Sequence, residues 1–269
     1  MLKEPKIIAS MTSFPAAVGF AARALRSVLN QSVKPDKVVL YLTASQFPGG
    51  KIPAELTALK KEYKNFEVRF YEENIRSYTK LIPALKDFPD DIIITFDDDI
   101  LYPRGVIAAL LRHHKKYPRA VIGNRIRRAR FGADGRLIPH LKWKVYKSLR
   151  FFYLSTRPRL VNHITGVAGA LYPPHIFPKE VFDSKTFMEI APSVDDVWFW
   201  LMAVKNGVGT APVPFGRGSV HLEDMTKPME ITLKSVNIYS GTDVNLVATE
   251  KILEKYPDIL EKLKDKNAD

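Results

Sequence analysis

Short apolar segments alternate with helical patterns through the first hundred residues, and this alternation constrains the fold more than any other feature of the sequence. Four runs have the length and apolar character of buried strands: Lys6–Met11, Lys37–Leu42, Phe66–Tyr71 and Asp91–Phe96. Three segments between them are predicted to be helices: Val18–Asn30, Pro53–Tyr63 and Thr79–Lys86. This β-α-β-α-β-α-β order predicts an α/β protein with a mostly parallel central sheet flanked by helices.

The second half of the sequence is less regular. It predicts two helices, Pro103–Tyr117 and Val194–Lys205, and two short strands, Ala120–Gly123 and Val208–Pro212. The last predicted element is a helical tail, Asn245–Lys264. Between 125 and 174 the pattern is irregular and rich in arginine and aromatic residues. Neither an internal repeat nor a low-complexity linker interrupts the chain, so we expect one continuous domain.

Composition limits the class of protein. The 269 residues are 46% apolar and 26% charged, which is ordinary for a globular protein. The chain has no cysteine, which excludes disulfides and any cysteine-ligated zinc or iron–sulfur site. The first apolar run is too short for a signal peptide, and no apolar window is long enough for a membrane span. We expect a cytoplasmic protein whose membrane contact is at most peripheral.

Three carboxylates, Asp97, Asp98 and Asp99, directly follow the last of the four strands. Strand alternation would point Asp97 and Asp99 the same way, and two such carboxylates repel unless a cation lies between them. Mg²⁺ and Mn²⁺ prefer oxygen ligands and usually bring phosphate oxygens with them. The carboxyl end of a strand is also where open α/β sheets bind ligands. We predict a metal–phosphate site here; the alternative is a solvated turn that ends the strand.

A second acidic pair, Asp195 and Asp196, lies at the start of a predicted helix. Ser193 is predicted to cap that helix, and the helix dipole favours carboxylates in the first turn, which is the purely structural interpretation. The functional interpretation is that one aspartate is a general base in a partly desolvated cleft. Trp198 and Trp200 are predicted either to wall that cleft or to belong to the core.

Arg76, Tyr78 and Lys80 precede the three aspartates in a segment expected near the same edge of the sheet. A lysine there would act as a point charge on phosphate, and a tyrosine ring would stack on a base. The alternative for Lys80 is a solvated surface side chain.

Glycine-rich segments supply further candidates. His221 follows Gly216 and Gly218 and is predicted to fold back over a metal and pyrophosphate, although a structural histidine is the alternative. Gly166 and Gly169 are predicted to let the backbone approach a ligand closely. The chain contains neither GxGxxG nor GxxxxGK[ST], so a nucleotide would not be held by either loop. The adjacent His113 and His114 are expected on the surface.

Positive charge is concentrated in one stretch. Between Arg112 and Arg159 fifteen lysines and arginines stand against one acid, Asp134, while the whole chain carries +12. Arginines 125, 127, 128 and 130 crowd together, with aromatic residues after them. Such a pattern suits an anionic membrane surface, a lipid pyrophosphate or nucleic acid, and a solvated basic face is the alternative.

Taken together, these segments resemble GT-A fold glycosyltransferases, and in particular the inverting bacterial enzymes that assemble capsule, O-antigen and lipooligosaccharide. The resemblance includes a DxD element at the aspartate triplet, and its other parts occur in the expected order: Ile7–Pro15, Ser27–Ser32, Ser77–Leu81, Phe96–Pro103 and Val194–Trp200. It implies a Rossmann-like GT-A sheet with a nucleotide-sugar-binding half over 1–103, a catalytic and acceptor half over 104–230 and a C-terminal helical segment over 231–269.

The resemblance also implies roles for individual residues. Thr12, Ser13 and Phe14 would border the nucleoside, joined by Arg76, Tyr78 and Lys80 in donor binding. Asp97 or Asp98 would contact the ribose or assist the metal, and Asp99 would ligate Mn²⁺ or Mg²⁺, with Asp97 and His221 as further ligands. Asp196 would be the base, with Asp195 as second choice. The chain departs from many relatives in having Ala16 and Ala17 after Pro15, where a basic residue is common.

The implied partners are a nucleoside-diphosphate sugar, with a UDP-sugar as the first expectation, and a glycan or lipid-linked saccharide acceptor. The Arg112–Arg159 stretch would contact an anionic membrane on its inner face, and no nucleic acid is expected. Two other functions use the same features. A metal-dependent nucleotidyltransferase would also need paired aspartates but would release pyrophosphate. A nucleic-acid-binding protein would use the basic stretch and leave both acidic clusters unexplained.

Overall fold

The computed structural model describes residues 4–145, 156–214 and 243–265. Its ten strands within these residues are β1 Ile7–Thr12, β2 Lys37–Thr43, β3 Phe66–Tyr71, β4 Ile92–Phe96, β5 Val121–Gly123, β6 Ile126–Arg128, β7 Lys144–Val145, β8 Asn162–Ile164, β9 Ala170–Tyr172 and β10 Thr210–Pro212. Its eight α-helices there are α1 Val18–Leu29, α2 Ala54–Glu62, α3 Ile82–Asp87, α4 Val106–Lys116, α5 Ser184–Ile190, α6 Asp195–Lys205, α7 Val244–Lys255 and α8 Pro257–Lys264.

A seven-stranded sheet forms the centre of the molecule, in the order β10-β5-β9-β4-β1-β2-β3. Strand β1 lies between β4 and β2 and is parallel to both, and β3 and β10 are also parallel to their neighbours. Only β9 runs antiparallel, between β4 and β5. The predicted α/β fold with a mostly parallel sheet is confirmed. The sequence did not predict β9, because three residues are too few to show a period.

Apolar side chains on both faces of the sheet explain why its central strands are continuous apolar runs. In β4, Ile93 belongs to one hydrophobic cluster and Ile94 to the other, and both are almost fully buried. Helices α1 and α4 cover one face, and helices α3 and α6 cover the opposite face. A strand buried on both sides has no solvent-facing positions, so its sequence does not alternate.

A second, three-stranded antiparallel sheet joins β7, β6 and β8. Strand β8 ends at Ile164, and Thr165 then donates its backbone N–H to the carbonyl oxygen of Arg125. A short 3₁₀ turn, Gly166–Ala168, follows directly. The small sheet therefore places the Gly166 backbone beside the second acidic pair, Asp195 and Asp196.

Several local predictions need correction. The segment predicted as a helix from Thr79 is a 3₁₀ turn, Arg76–Lys80, followed by α3. The helical tail is interrupted at Pro257, as the sequence predicts, and forms two helices, with Pro257 at the first position of α8 where proline is tolerated. His113 is buried rather than on the surface, at 5% exposure. In the part of the chain that the structure describes, no helix is both long and apolar enough to span a bilayer.

Candidate active site

The first acidic cluster lies at the carboxyl edge of the central sheet. Strands β1 and β4 are parallel neighbours, so the loops that follow Thr12 and Phe96 leave the sheet side by side. Ser13 on one loop donates its hydroxyl hydrogen to Asp98 on the other, and Thr12 donates to the carbonyl oxygen of Tyr41. The adjacency of Ser13 and Asp98, 85 residues apart in sequence, follows from parallel pairing and agrees with the predicted location of the site.

The three aspartates themselves do not continue the strand. Strand β4 ends at Phe96, and the three residues after it form a turn, so the expected strand alternation of Asp97 and Asp99 does not apply. Asp97 and Asp99 are partly exposed, whereas Asp98 is buried at 7% exposure. The backbone N–H of Asp97 donates to the Tyr102 hydroxyl, which fixes the turn.

The second acidic cluster occupies the first turn of α6, as predicted. The N-cap position is Val194 and has no side-chain cap, so the prediction that Ser193 caps the helix is wrong. Trp198 and Trp200 are almost fully buried and belong to the core, so they do not line an open cleft. Asp195 is itself buried at 5% exposure. The helix therefore begins with one buried carboxylate, Asp195, and one partly exposed carboxylate, Asp196.

Lys80 joins the two clusters. Its Nζ atom lies 3.3 Å from Asp97 Oδ1, 3.1 Å from Asp195 Oδ2 and 3.9 Å from Asp196 Oδ1. Burial lowers the pKa of Lys80, but attraction to Asp195, Asp97 and Asp196 outweighs it and raises that pKa well above its ordinary value. Lys80 is thus a buried, permanently charged cation, and the alternative of a solvated surface lysine is wrong.

Asp195 and Asp196 differ in how their oxygens are held. Asp195 accepts a hydrogen bond from the Ser77 hydroxyl at 2.8 Å in addition to its ion pair with Lys80. Asp196 Oδ2 accepts from the Gly166 backbone N–H at 2.9 Å. Among the described residues, neither Asp195 Oδ2 nor Asp196 Oδ1 has a hydrogen-bond partner, and both face Lys80 Nζ. Each carboxylate therefore has one oxygen anchored by a hydrogen bond and one oxygen that accepts none.

The electrostatic environment of Asp196 favours a role for its carboxylate as a general base. Burial raises the pKa of Asp196, Lys80 lowers it, and repulsion by Asp195 raises it again, giving a value of about 7. General bases are most effective when their pKa lies near the working pH. Asp196 combines such a pKa with an uncommitted oxygen.

Arg76 and Tyr78, both predicted to bind the donor, differ in their exposure. Arg76 is exposed and adopts a left-handed backbone, with φ of 53°, which is uncommon for a residue other than glycine. Tyr78 is fully buried, stacks on Phe187 at a centroid distance of 4.0 Å and donates its hydroxyl to the carbonyl oxygen of Ala191. This environment contradicts the prediction that Tyr78 stacks on a nucleobase, because its ring belongs to the core.

The donor set suits a divalent cation only in part. Carboxylate oxygens are the right ligand type for Mg²⁺ or Mn²⁺. Across residues 4–145, 156–214 and 243–265, however, no three acidic or histidine side chains gather closely enough to hold a metal alone. His221 lies outside the described residues. A metal bound at these carboxylates would therefore need further ligands, such as the oxygens of a bound phosphate.

The sequence did not predict several side-chain and backbone contacts of this region. Ser77 and Gly166 contact the second cluster directly, but their partners are 118 and 30 residues away in sequence. His140 and His163 form a buried pair with their ring nitrogens 3.3 Å apart, close behind α6. Burial lowers the pKa of both, to about 4 for His140. No signal in the sequence pairs these residues.

The basic stretch is only partly on the surface. Arg127 lies half-buried on β6 and donates to the carbonyl oxygen of Trp143, and Arg128 donates to Asn162 Oδ1. Burial, reinforced by the charge of Arg125, lowers the pKa of Arg127. Arg130 and Arg136 are exposed. The aromatic residues Phe151–Tyr153 that follow lie outside the described residues.

Solved structures with similar folds were compared with this one. S. aureus TarS 1-349 matches at 13% identity and a TM-score of 0.47, with 78% of this chain and 58% of that chain covered. The chain thus spans little more than half of the TarS structure. The mannosyltransferase PcManGT from Pyrobaculum calidifontis, in complex with GDP-Man and Mn²⁺, matches at 15% identity and a TM-score of 0.45, with 99% of this chain and 85% of that chain covered. A 4-diphosphocytidyl-2C-methyl-D-erythritol synthase matches at 9% identity and a TM-score of 0.44, with 82% of this chain and 95% of that chain covered.

The sequence comparisons give one match. No curated protein sequence matches the chain. The family model described as Glycosyl transferase family 2 matches residues 18–171, which is more than half of the chain and includes the three aspartates after β4. The chain therefore belongs to glycosyl transferase family 2 and has a GT-A fold.

Proposed function

We propose that the protein is a metal-dependent, inverting glycosyltransferase. It moves a sugar from a nucleoside diphosphate to a hydroxyl of a glycan or lipid-linked acceptor in the synthesis of a bacterial surface polysaccharide. The observation that carries this proposal is the meeting of two acidic clusters at Lys80, whose Nζ atom lies 3.3 Å from Asp97 at the sheet edge and 3.1 and 3.9 Å from Asp195 and Asp196 at the start of α6.

The donor is assigned to the carboxyl edge of β1 and β4. Thr12, Ser13 and Phe14 leave β1 there and would border the nucleoside. Ser13 orients Asp98, which supports a contact between that carboxylate and the ribose. Arg76 is the exposed cation of the neighbouring turn and is assigned to the diphosphate.

Asp99, with Asp97 as a further candidate, would hold Mn²⁺ or Mg²⁺ together with diphosphate oxygens. When bound, such a metal stabilises the negative charge that develops on the departing nucleoside diphosphate. The residues of the chain then have two tasks, which are to hold the diphosphate in place and to keep water out of the reacting centre.

Asp196 is assigned the proton transfer. Its Oδ1 would accept the proton of the acceptor hydroxyl, while the bond from Gly166 N–H to Oδ2 keeps the carboxylate in place. The hydroxyl oxygen forms a bond to the anomeric carbon as the bond from that carbon to the diphosphate oxygen breaks. Attack from the face opposite the leaving group inverts the anomeric centre in a single displacement.

The basic stretch supports an anionic partner beside the acceptor side of the site. Strand β6 carries Arg127 and Arg128, and Arg125 just before it bonds through its carbonyl to Thr165, one residue before Gly166. We assign this surface to an anionic membrane or lipid-linked acceptor on the inner membrane face. This assignment makes the protein peripheral to the membrane.

A thermal-shift screen of UDP-, GDP-, dTDP- and CMP-linked sugars, each with and without MnCl₂, tests the proposal. We expect one nucleotide class to raise the melting temperature only when Mn²⁺ is present, because binding to the folded state stabilises it. Stabilisation by nucleoside triphosphates with no response to any nucleotide sugar would instead support a nucleotidyltransferase.

A further inference from the structure

Lys80 occupies a position that donor binding alone does not explain. Its backbone is anchored below the sheet edge, where its carbonyl oxygen accepts the Ser10 hydroxyl of β1 at 2.6 Å. Its side chain is 9% exposed and reaches three carboxylates. Among the described residues, its ammonium group donates one hydrogen bond, to Asp97 Oδ1, and forms ion pairs with Asp195 and Asp196. A donor phosphate at Lys80 would compete with these three carboxylates for its charge.

The contacts of Lys80 join separate parts of the fold. Asp97 belongs to the loop after β4, and Asp195 and Asp196 belong to α6. The same 3₁₀ turn contributes the Ser77 hydroxyl to Asp195, so this turn holds the start of α6 at two points. Gly166 packs closely on the opposite side, since a Cβ atom there would lie 3.1 Å from Lys80 Nζ.

The negative charge of the three surrounding carboxylates requires the Lys80 cation between them. Asp97, Asp195 and Asp196 converge on Lys80, and the ionisable groups Tyr172 and Tyr102 also interact electrostatically with it. Removing the cation from a buried cluster leaves uncompensated carboxylates, which is strongly unfavourable. The carboxylates would separate, and Asp196 would lose its alignment with an acceptor hydroxyl. A displacement of about 1 Å can cost roughly 100-fold in rate.

We propose that Lys80 is a positioning residue that fixes the base Asp196 relative to the donor-side aspartates, rather than a donor-phosphate ligand. This inference rests on the proposed function and replaces the role that the sequence suggested for Lys80. The lysine acts through Asp97, Asp195 and Asp196 and touches neither the sugar nor the acceptor.

The experiment compares Lys80→Met with Lys80→Met/Asp195→Asn, and uses Lys86→Met as the matched control. Lys86 is an exposed lysine six residues further on, whose ammonium group donates to the Tyr71 hydroxyl and lies over the Tyr71 and Phe182 rings. Urea unfolding, calorimetric binding of UDP, GDP and dTDP with MnCl₂, and the turnover and pH profile of sugar transfer are measured for each protein.

We expect Lys80→Met to bind the nucleoside diphosphate within about threefold of wild type while turnover falls about 100-fold. The double variant should recover part of both stability and turnover, because it removes one of the repelling charges. Lys80→Met should also move the pH profile of turnover, whereas Lys86→Met should match wild type in every measurement.

Parallel loss of nucleoside diphosphate binding and turnover in Lys80→Met, without recovery in the double variant, would overturn the proposal and make Lys80 a donor ligand. Wild-type turnover in Lys80→Met would overturn it as well. Failure of the wild-type protein to bind any nucleotide or transfer any sugar would refute the proposed function itself and is therefore distinguishable.

Discussion

The two acidic clusters share a residue type but not an environment. Asp97 and Asp99 are partly exposed on a turn at the edge of the sheet, whereas Asp195 is buried and Asp196 faces Lys80 from the start of α6. Burial and repulsion raise the pKa of Asp196 to about 7, although Lys80 opposes that rise. The comparison teaches that neighbouring charges and hydrogen bonds, rather than residue type or exposure, distinguish the two kinds of carboxylate, since the side chains of Asp97 and Asp196 are both 25% exposed.

The largest effect is expected when the base is changed. Asp196→Asn keeps the hydrogen-bonding shape of the side chain but removes its ability to accept a proton. We expect turnover to fall by about 10²- to 10⁴-fold, the usual contribution of a general base. Asp195→Asn should cost less, because Asp195 is already committed to Ser77 and Lys80. A larger loss in Asp195→Asn than in Asp196→Asn, measured by steady-state transfer, would reverse the assignment.

The pH dependence of turnover should follow the base. Asp196 must be ionised to accept a proton, so turnover should rise with pH and level off above about 7. The effect on stability has the opposite sign: because the folded-state pKa is raised, the contribution of Asp196 to the free energy of unfolding falls as pH rises from about 4 to about 7. Rate profiles and urea unfolding across this window check both signs, and a rate that declines from pH 5 to 7 would contradict them.

Gly166 tests how closely the second cluster must be packed. An added Cβ would lie 3.1 Å from Asp196 Oδ1, so Gly166→Ala forces the carboxylate to shift by a few tenths of an ångström. We expect turnover to fall by about tenfold with donor binding retained. Gly19→Ala is the matched control, since a Cβ there meets nothing within 4 Å. Equal turnover in the two variants would show that this contact does not align Asp196.

The smallest effect on turnover is expected on the basic surface, away from both clusters. Replacing Arg130, Arg136 and Lys142 by serine removes three exposed charges without touching the half-buried Arg127. At about 1 kcal/mol per charge near an anionic membrane, vesicle binding should weaken by roughly 100-fold. Serine at Lys60, Lys61 and Lys64, exposed on and after α2, gives the matched loss of charge. Equal weakening in both triple variants would remove the specific membrane role of the basic stretch.

The parts of the molecule that have a local signal could be predicted from the sequence. Strands such as β4 are apolar on both faces, so their short runs are recognisable, and parallel pairing then brings Ser13 to Asp98. Local signals also located Asp195 and Asp196 in the first turn of a helix.

Long-range packing determined the rest. Tyr78 has the composition of a stacking residue, but its ring meets Phe187, more than a hundred residues later in the chain. The burial of Lys80 depends on carboxylates from two separate elements. Strand β9 has three residues and reverses direction, which no periodicity can reveal. These features arise from tertiary contacts that leave no local pattern.

Donor binding measured side by side in Asp99→Ala and Asp196→Asn tests the division of roles most directly. Calorimetry would use the nucleotide sugar identified by the thermal-shift screen, with and without MnCl₂, and circular dichroism would confirm that both variants fold. The division of roles predicts that Asp99→Ala loses Mn²⁺-dependent binding while Asp196→Asn binds the donor as wild type does. Unchanged binding in Asp99→Ala, or lost binding in Asp196→Asn, would contradict it.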